Sequence, residues 1–256
     1  MDRQRLDLLR IWVRREWRAR YAGSVLGRVW SVLSPMLTIV LYYGVFSVIL
    51  RVRIPELDVP GGFLYYLLSA LVPWLFFTEA LSRATGSVIA QEKFLSRNPF
   101  PPEILPWSAV LASTPTLVVG LALVAGLLLL TFPPSPRLLL LPALMILHVA
   151  WAGTLGAILS VVALHLRDTL QILPSVLQFL FYASPVIYSR SIVPADFQWA
   201  LLLNPVSAMA EAYHYLLLGF PQRWDWVVAL GLWSLVLLVG GARLYARLRS
   251  TIADRY

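Results

Sequence analysis

The chain has 256 residues, of which 59% are hydrophobic and only 13% charged, with a mean hydropathy of +0.73. A water-soluble domain of this length carries roughly twice that charged share. The net charge of +8 sits beside apolar tracts, which makes a lipid surface the better partner and argues against nucleic acid. With no cysteine there is neither a disulfide framework nor a thiolate site.

The first element is predicted over residues 3–22, RQRLDLLRIWVRREWRARYA. Leu6, Leu9, Val13, Trp17 and Tyr21 recur at helical spacing, and Arg10, Arg14 and Arg18 fall on another face. Such a helix lies in the plane of a membrane interface, with Trp12 and Trp17 at headgroup depth. It serves either as a basic anchor or, in addition, as a docking surface for a cytoplasmic partner. The long apolar run that follows is unlike a secretory leader, because it lacks a small-residue cleavage site.

Six membrane spans are expected near residues 31–50, 62–82, 107–131, 138–164, 170–187 and 226–246. A helix rises ~1.5 Å per residue and the hydrocarbon core is ~30 Å thick, so about 20 uncharged residues suffice. Helices are required because hydrocarbon cannot satisfy free backbone groups. These runs do not alternate as barrel strands do. The fold class is therefore all-α integral membrane, in a single domain over residues 1–256. Lys and Arg concentrate in residues 1–30, 83–106, 165–169 and 243–256, which places both termini in the cytoplasm.

Two segments outside the spans complete the reading. Residues 83–106 form a cytoplasmic loop in which 85–96 are expected as a short helix, followed by a stiff mount from Pro99, Pro101 and Pro102. It is either an ordinary connection or a lever. Residues 185–223, on the outer side, are apolar but interrupted by Asp196, Glu211, Arg223 and four prolines. Pieces this short cannot cross, so a hairpin of two short helices dipping into the outer leaflet is expected, with two further spans as the alternative. The three histidines, His148, His165 and His214, have no metal-ligand spacing, and no phosphate-binding loop is present. No catalytic residue and no metal site are expected, and any ATPase belongs to another chain.

Three blocks carry a likeness to a known family. The first is Arg20-Tyr21, Gly23-Ser24-Val25-Leu26-Gly27, Trp30 and Pro35; the second is Asn98-Pro99-Phe100-Pro101 with Glu103-Ile104-Leu105-Pro106. The last runs from Arg167-Asp168 through Ser184-Pro185-Val186-Ile187-Tyr188 to Leu203-Asn204-Pro205 and Glu211-Ala212. In order and spacing the chain resembles the permease subunit of ABC exporters for cell-surface polysaccharides of the O-antigen, capsule and teichoic-acid types. One departure is Asn98, where that family usually has Arg or Lys.

The resemblance implies a homodimer in the bacterial inner (plasma) membrane, bound to two nucleotide-binding subunits that hold the ATP and Mg. It implies that the cargo is a glycan on a polyprenyl diphosphate lipid. Residues 3–22 become an interface helix, with Arg10, Trp12, Arg14, Arg15, Trp17, Arg18 and Arg20 as its working residues. Gln91, Glu92, Lys93, Phe94, Leu95 and Arg97 become the ATPase-coupling segment. Residues 189–222 become an outer gate, marked by Pro185, Tyr188, Asn204, Pro205 and Glu211. Aromatic rings stack on the CH faces of sugars, so Tyr42, Tyr43, Phe46, Phe179, Phe181 and Tyr182 either line a channel or pack between helices. Arg14, Arg15, Arg18 and Arg20 either receive a diphosphate or simply anchor the chain. A drug- or lipid-exporting permease of the same topology is the alternative, with a membrane-embedded glycan enzyme further behind.

Overall fold

A computed structural model describes residues 3–20, 29–55, 57, 59–98, 100–221 and 223–248. The block around Gly23–Gly27, with Tyr21, and the position of Pro99 lie outside the described residues. Among those described, all regular structure is helical. Helix α1 spans Arg3–Ala19, and α2 spans Trp30–Tyr43 and continues as a wider π turn over Gly44–Ile49. Then come α3 (Gly62–Ala90), the single turn α4 (Glu92–Leu95), α5 (Ile104–Leu129), α6 (Leu141–His165) and α7 (Thr169–Tyr182). The chain ends with α8 (Gln198–Leu202), α9 (Pro205–Leu218), α10 (Trp224–Ser234), a π turn at Leu235–Gly240, and α11 (Gly241–Leu248).

Among the described residues four helical stretches are long and apolar enough to cross a membrane: Gly62–Ala90, Ile104–Leu129, Pro136–His165 and Trp224–Leu248. Two shorter apolar ones, Leu33–Ile49 and Thr169–Tyr182, coincide with the expected first and fifth spans. Proline occurs inside α2, α3, α5 and α7, at Pro35, Pro73, Pro115 and Pro174. Neighbouring helices and local π or 3₁₀ adjustments accommodate such breaks.

Helix α3 is the pillar of the bundle. Its most apolar window is 72% buried within the chain, against 33% for α5 and for α6 and 11% for the last long helix. Small residues allow close approach. A Cβ built on Gly156 of α6 would stand 2.5 Å from the Ala84 Cβ of α3, and one on Gly120 of α5 would stand 2.5 Å from Val72 Cγ1. At Gly153 the space is taken by the Trp107 ring, 2.3 Å away. The core gathered around α3 includes Tyr66, Leu67, Leu71, Phe76, Leu117, Leu121, Trp151 and Tyr213.

Three expectations are corrected. Residues 83–90 are not loop or the start of a separate helix; they continue α3, and only α4 stands apart. Arg83 marks where apolar sequence ends, but no breaker stops the helix there. At 29 residues α3 is about 44 Å long, more than the ~30 Å core needs. The fifth apolar helix ends at Tyr182 rather than 187, because Ala183–Ile187 turn so that Pro185 and Val186 enter the core. Trp12, expected to face lipid headgroups, is instead enclosed by protein: it is 5% exposed and sits inside a side-chain cluster.

The glycine contacts predict an asymmetric pair of outcomes. Gly156→Leu should force α3 and α6 apart and lower stability by about 1–3 kcal/mol, seen as a lower melting temperature of the detergent-solubilised protein. Gly126→Ala, where an added Cβ meets nothing within 4 Å, should leave the melt unchanged.

Candidate transport site

One end of the bundle is organised around α1. The face it turns inward carries Arg5, Leu8, Leu9, Trp12 and Glu16, spaced by about one turn, while Leu6 and Ile11 are exposed. Of the apolar stripe read from the sequence, Leu9 joins this packed face, Val13 and Trp17 are half-buried and Leu6 is exposed, and the most buried residue is Trp12 beside it. The Trp12 ring lies 5.5 Å from Phe94 and 5.2 Å from Phe100, and those two are 5.4 Å apart. Val88, Leu95, Ile104, Leu105, Val161 and Leu164 close this cluster. Polar contacts fasten the rim. Arg5 pairs with Glu103 at 3.2 Å, Arg83 with Glu16 at 3.1 Å, and Arg15 stacks over Trp12 and donates to Gln91 Oε1 at 3.3 Å.

The residues expected to form a coupling segment divide in consequence. Leu95 is buried and Phe94 faces Trp12, so both hold α4 against α1. Glu92 reaches Arg167 at 3.7 Å in the α6–α7 connection. Lys93, Ser96, Arg97 and Asn98 are exposed and form the outward surface. On α1, Arg10, Arg14 and Arg18 are exposed, and Trp17 is half-buried. Arg20 is not open to a ligand on all sides: its Nη2 donates to Glu79 Oε2 at 2.6 Å and its Nη1 to Thr116 Oγ1 at 3.4 Å. Ser113 donates to the other Glu79 oxygen at 3.1 Å. Glu79 and Arg20 thus join α1 to α3 and α5, and removing either leaves the other half-buried and uncompensated.

The opposite end carries the segment from Ala183 to Arg223. The Asn204 amide donates to Ser184 Oγ at 2.8 Å and to the carbonyls of Ala183 and Leu180, and its Oδ1 caps α9 by accepting from Val206 N–H at 3.0 Å. Pro205 at the first helical position fits that cap, since it needs no donor there. Arg190 pairs with Glu211 at 3.2 Å and donates to the Pro221 carbonyl, with Glu211 only 7% exposed. Gly219 ends α9 with φ +73°, and the Arg137 guanidinium occupies the space a side chain there would need. The Tyr188 hydroxyl donates to the Tyr182 carbonyl at 3.2 Å, and partial burial raises its pKa.

Tyr66 of α3 anchors this whole segment. It is fully buried; its hydroxyl donates to the carbonyls of Pro185 and Tyr188, both at 2.8 Å. Its ring stacks on His214 of α9 at 3.9 Å, and His214 Nε2 lies 3.3 Å from the Tyr66 carbonyl. Sequence reasoning missed Tyr66, which reads as one more interfacial aromatic. Its signal was a tyrosine near the end of the most buried span, since a buried phenol needs a partner.

The six aromatics separate. Tyr42, Phe46, Phe181 and Tyr182 come together where α2 meets α7: Tyr42 is 5.2 Å from Phe181 and 6.1 Å from Phe46, and Phe181 is 5.3 Å from Tyr182. Phe181 is buried against Trp74, whereas Tyr182 is 51% exposed. Tyr43 packs on the core, and Phe179, 70% exposed, points away from the protein. Among the described residues no group of three metal-ligating side chains occurs.

Residues 7–218 match the family described as ABC-2 type transporter. The chain belongs to this family. It is 26% identical to the O-antigen export system permease protein RfbA of Klebsiella pneumoniae over 97% of this chain and 94% of that protein. A protein of the same name from Myxococcus xanthus is 27% identical, with 94% and 92% covered. The polysialic acid transport protein KpsM of Escherichia coli is 24% identical, with 90% and 89% covered. The matched region takes in α1, the α4 segment and nearly all of the Ala183–Arg223 segment, so the two elaborated ends of this ABC-2 transporter chain both lie within the family's shared part.

Tyr66→Phe removes one donor and leaves the Pro185 and Tyr188 carbonyls without it. A loss of about 1–2 kcal/mol is expected. Hydrogen exchange should quicken across residues 183–220 while the α1 end keeps its protection.

Proposed function

We propose that this chain is the permease subunit of an ATP-driven exporter of a polysaccharide carried on a polyprenyl diphosphate lipid. The observation that carries the reading is end-to-end similarity, within the ABC-2 transporter family, to O-antigen and polysialic acid permeases. In this reading the chain crosses the inner membrane six times, with both termini in the cytoplasm, and pairs with a second copy. It does no chemistry itself; two nucleotide-binding subunits supply ATP hydrolysis.

Each end of the bundle then has a task. Helix α1 lies along the cytoplasmic interface and braces α4 through Trp12. The exposed side of α4 and the residues after it, Lys93, Ser96, Arg97 and Asn98, meet the ATPase. Because α4 rests on Trp12, Phe100 and Glu103-paired α1, a push on it moves a packed body rather than a loop. The Ala183–Arg223 segment, with Pro185, Tyr188, Asn204, Pro205 and Glu211, is the outer gate and dips back into the membrane. The aromatic group Tyr42, Phe46, Phe181 and Tyr182 borders the route of the glycan, its partly exposed hydroxyls exchanging hydrogen bonds with sugar while the rings stack on CH faces. Exposed faces of α2 and α7 beside this group, including Met36, Val40 and Ile172, suit contact with the second copy or with lipid.

The test is reconstitution. The chain, co-expressed with the nucleotide-binding subunit of an O-antigen exporter in a host lacking its own exporter, should restore lipid-linked glycan at the cell surface; no surface glycan would overturn the reading. Lys93→Glu with Arg97→Glu should reduce co-purification of the ATPase and permease-stimulated hydrolysis about tenfold. Phe94→Asp is a poorer probe of coupling, because it first buries a charge under Trp12 and loosens α1. Tyr42→Ala with Tyr182→Ala should slow export several-fold and leave assembly of the complex intact, as read by size-exclusion chromatography.

A further inference from the structure

At the end of the bundle away from α1, a cleft of about 240 Å³ opens between α8, the Arg190 turn and the start of α10. Its lining combines two indoles, Trp199 and Trp226, with Arg190, Gln198, Arg223 and Asp225. None of these six residues belongs to the aromatic group at α2 and α7.

The charges in and behind this cleft balance. Arg223 grips Asp225 through two contacts, Nε to Oδ1 at 3.2 Å and Nη2 to Oδ2 at 2.7 Å. Arg190 is committed to Glu211 at 3.2 Å and to the Pro221 carbonyl at 3.3 Å, and its guanidinium stands 6.0 Å from the Trp226 ring. Two cations therefore face two carboxylates. A phosphate would have to compete with both carboxylates, and an ammonium headgroup with both guanidiniums. A neutral ligand meets no such competition.

Hydrogen-bonding capacity nevertheless remains. Gln198 spends its amide nitrogen on the Val193 carbonyl at 3.1 Å, and its oxygen has no donor among the described residues. Neither Arg223 Nη1 nor the Trp199 indole N–H has an acceptor among them. Trp199 is 60% exposed, so a broad ring face is left uncovered by protein at the rim, whereas Trp226 is buried and forms the floor. One open aromatic face, one free carbonyl acceptor and separate N–H donors around an electrically neutral cleft are what a pyranose ring uses: its CH face stacks, and its hydroxyls both accept and donate.

We propose that this cleft is a low-affinity pyranose-binding subsite, contacted by the glycan as it leaves the transporter. As an exit subsite it rests on the export reading; as a sugar site it stands on its own lining. Weak binding suits the position, since a tight exit site would retain the chain.

The experiment uses the full chain in nanodiscs and saturation-transfer difference NMR with methyl glycosides of glucose, galactose, mannose, rhamnose and N-acetylglucosamine. At least one glycoside should receive saturation at its ring CH protons. Trp199→Ala should remove that signal, and Gln198→Leu should reduce it at least threefold. Trp199 is exposed and Gln198 is half-buried in the first turn of α8, and an unchanged size-exclusion profile verifies folding. No transfer to any glycoside, or equal transfer in Trp199→Ala, overturns the proposal. Displacement by inorganic phosphate or glycerol phosphate at equal concentration also overturns it, in favour of an anion or lipid-headgroup site. Surface export is scored separately: failed sugar binding with intact wild-type export removes the cleft alone, and failed wild-type export removes the transport reading whatever the NMR shows.

Discussion

The arrangement depends on α3 being buried along nearly its whole length and on the few polar groups it carries being used at its two ends. In a hydrocarbon surround every backbone N–H and C=O must be satisfied within the protein, and side-chain polarity is admitted only where a partner is fixed. Helix α3 meets that condition by placing Tyr66 at one end and Glu79 and Arg83 towards the other. Tyr66 holds the Ala183–Arg223 segment; Glu79 and Arg83 hold α1 through Arg20 and Glu16. Between them Ala70, Leu71, Phe76, Ala80 and Ala84 pack against α5 and α6 with no room for larger side chains at Gly120 and Gly156. The two elaborated ends are thus fastened to one rod.

What the sequence made legible was set by length and charge. The apolar helices lie close to the expected limits, because twenty uncharged residues leave a membrane chain few alternatives. The cap at Asn204-Pro205 and the break around Pro185 were also legible, since both are local chemistry. Helix ends were less so: α3 runs past Arg83 because charge marks the end of the hydrocarbon, not the end of a helix. Tertiary facts were hidden. The buried face of α1 is centred on Trp12, at the edge of the Leu6–Leu9–Val13–Trp17 stripe, because three aromatics, Trp12, Phe94 and Phe100, the first far from the others in sequence, pack together. Periodicity finds an apolar face; it does not say that an Arg-rich helix turns Trp and Glu inward when Arg83 waits there to pair. For the same reason the sequence did not show that Phe94 and Leu95, read as coupling residues, pack inward, Leu95 buried and Phe94 half-buried against Trp12.

The packing also separates what is rigid from what is loosely held. The α3, α5 and α6 core is continuous, whereas α2 and α7 expose much of their length, including Leu37, Leu41, Val48, Ile172 and Val176. The last long helix is only 11% buried in its apolar window. In water such surfaces would be a liability. In a bilayer they are either lipid-facing or the contact with another subunit, and the aromatic group at Tyr42, Phe46, Phe181 and Tyr182 sits on the border between the buried core and the exposed α2–α7 side.

A rod fixed to both ends constrains how a signal could pass between them. If α3 moved as a body, it would carry α1 and the Ala183–Arg223 segment with it, at the cost of breaking the close contacts at Gly120 and Gly156. Close-packed interfaces of that kind do not deform gradually. The less buried route runs through α2 and α7, which touch α3 and carry the π turn after Tyr43, Pro35 and Pro174, as α3 and α5 carry Pro73 and Pro115. Arg167, between α6 and α7, is tied to Glu92 of α4. A displacement of α4 acts directly on α3, to which it is joined through Gln91 alone, and touches the α6–α7 connection only through the exposed Glu92–Arg167 pair. Helix α7 ends at Tyr182, whose carbonyl is held by Tyr188 at the start of the Ala183–Arg223 segment. The two ends are thus linked twice, by the packed length of α3 and by α7 through the Glu92–Arg167 and Tyr188–Tyr182 contacts.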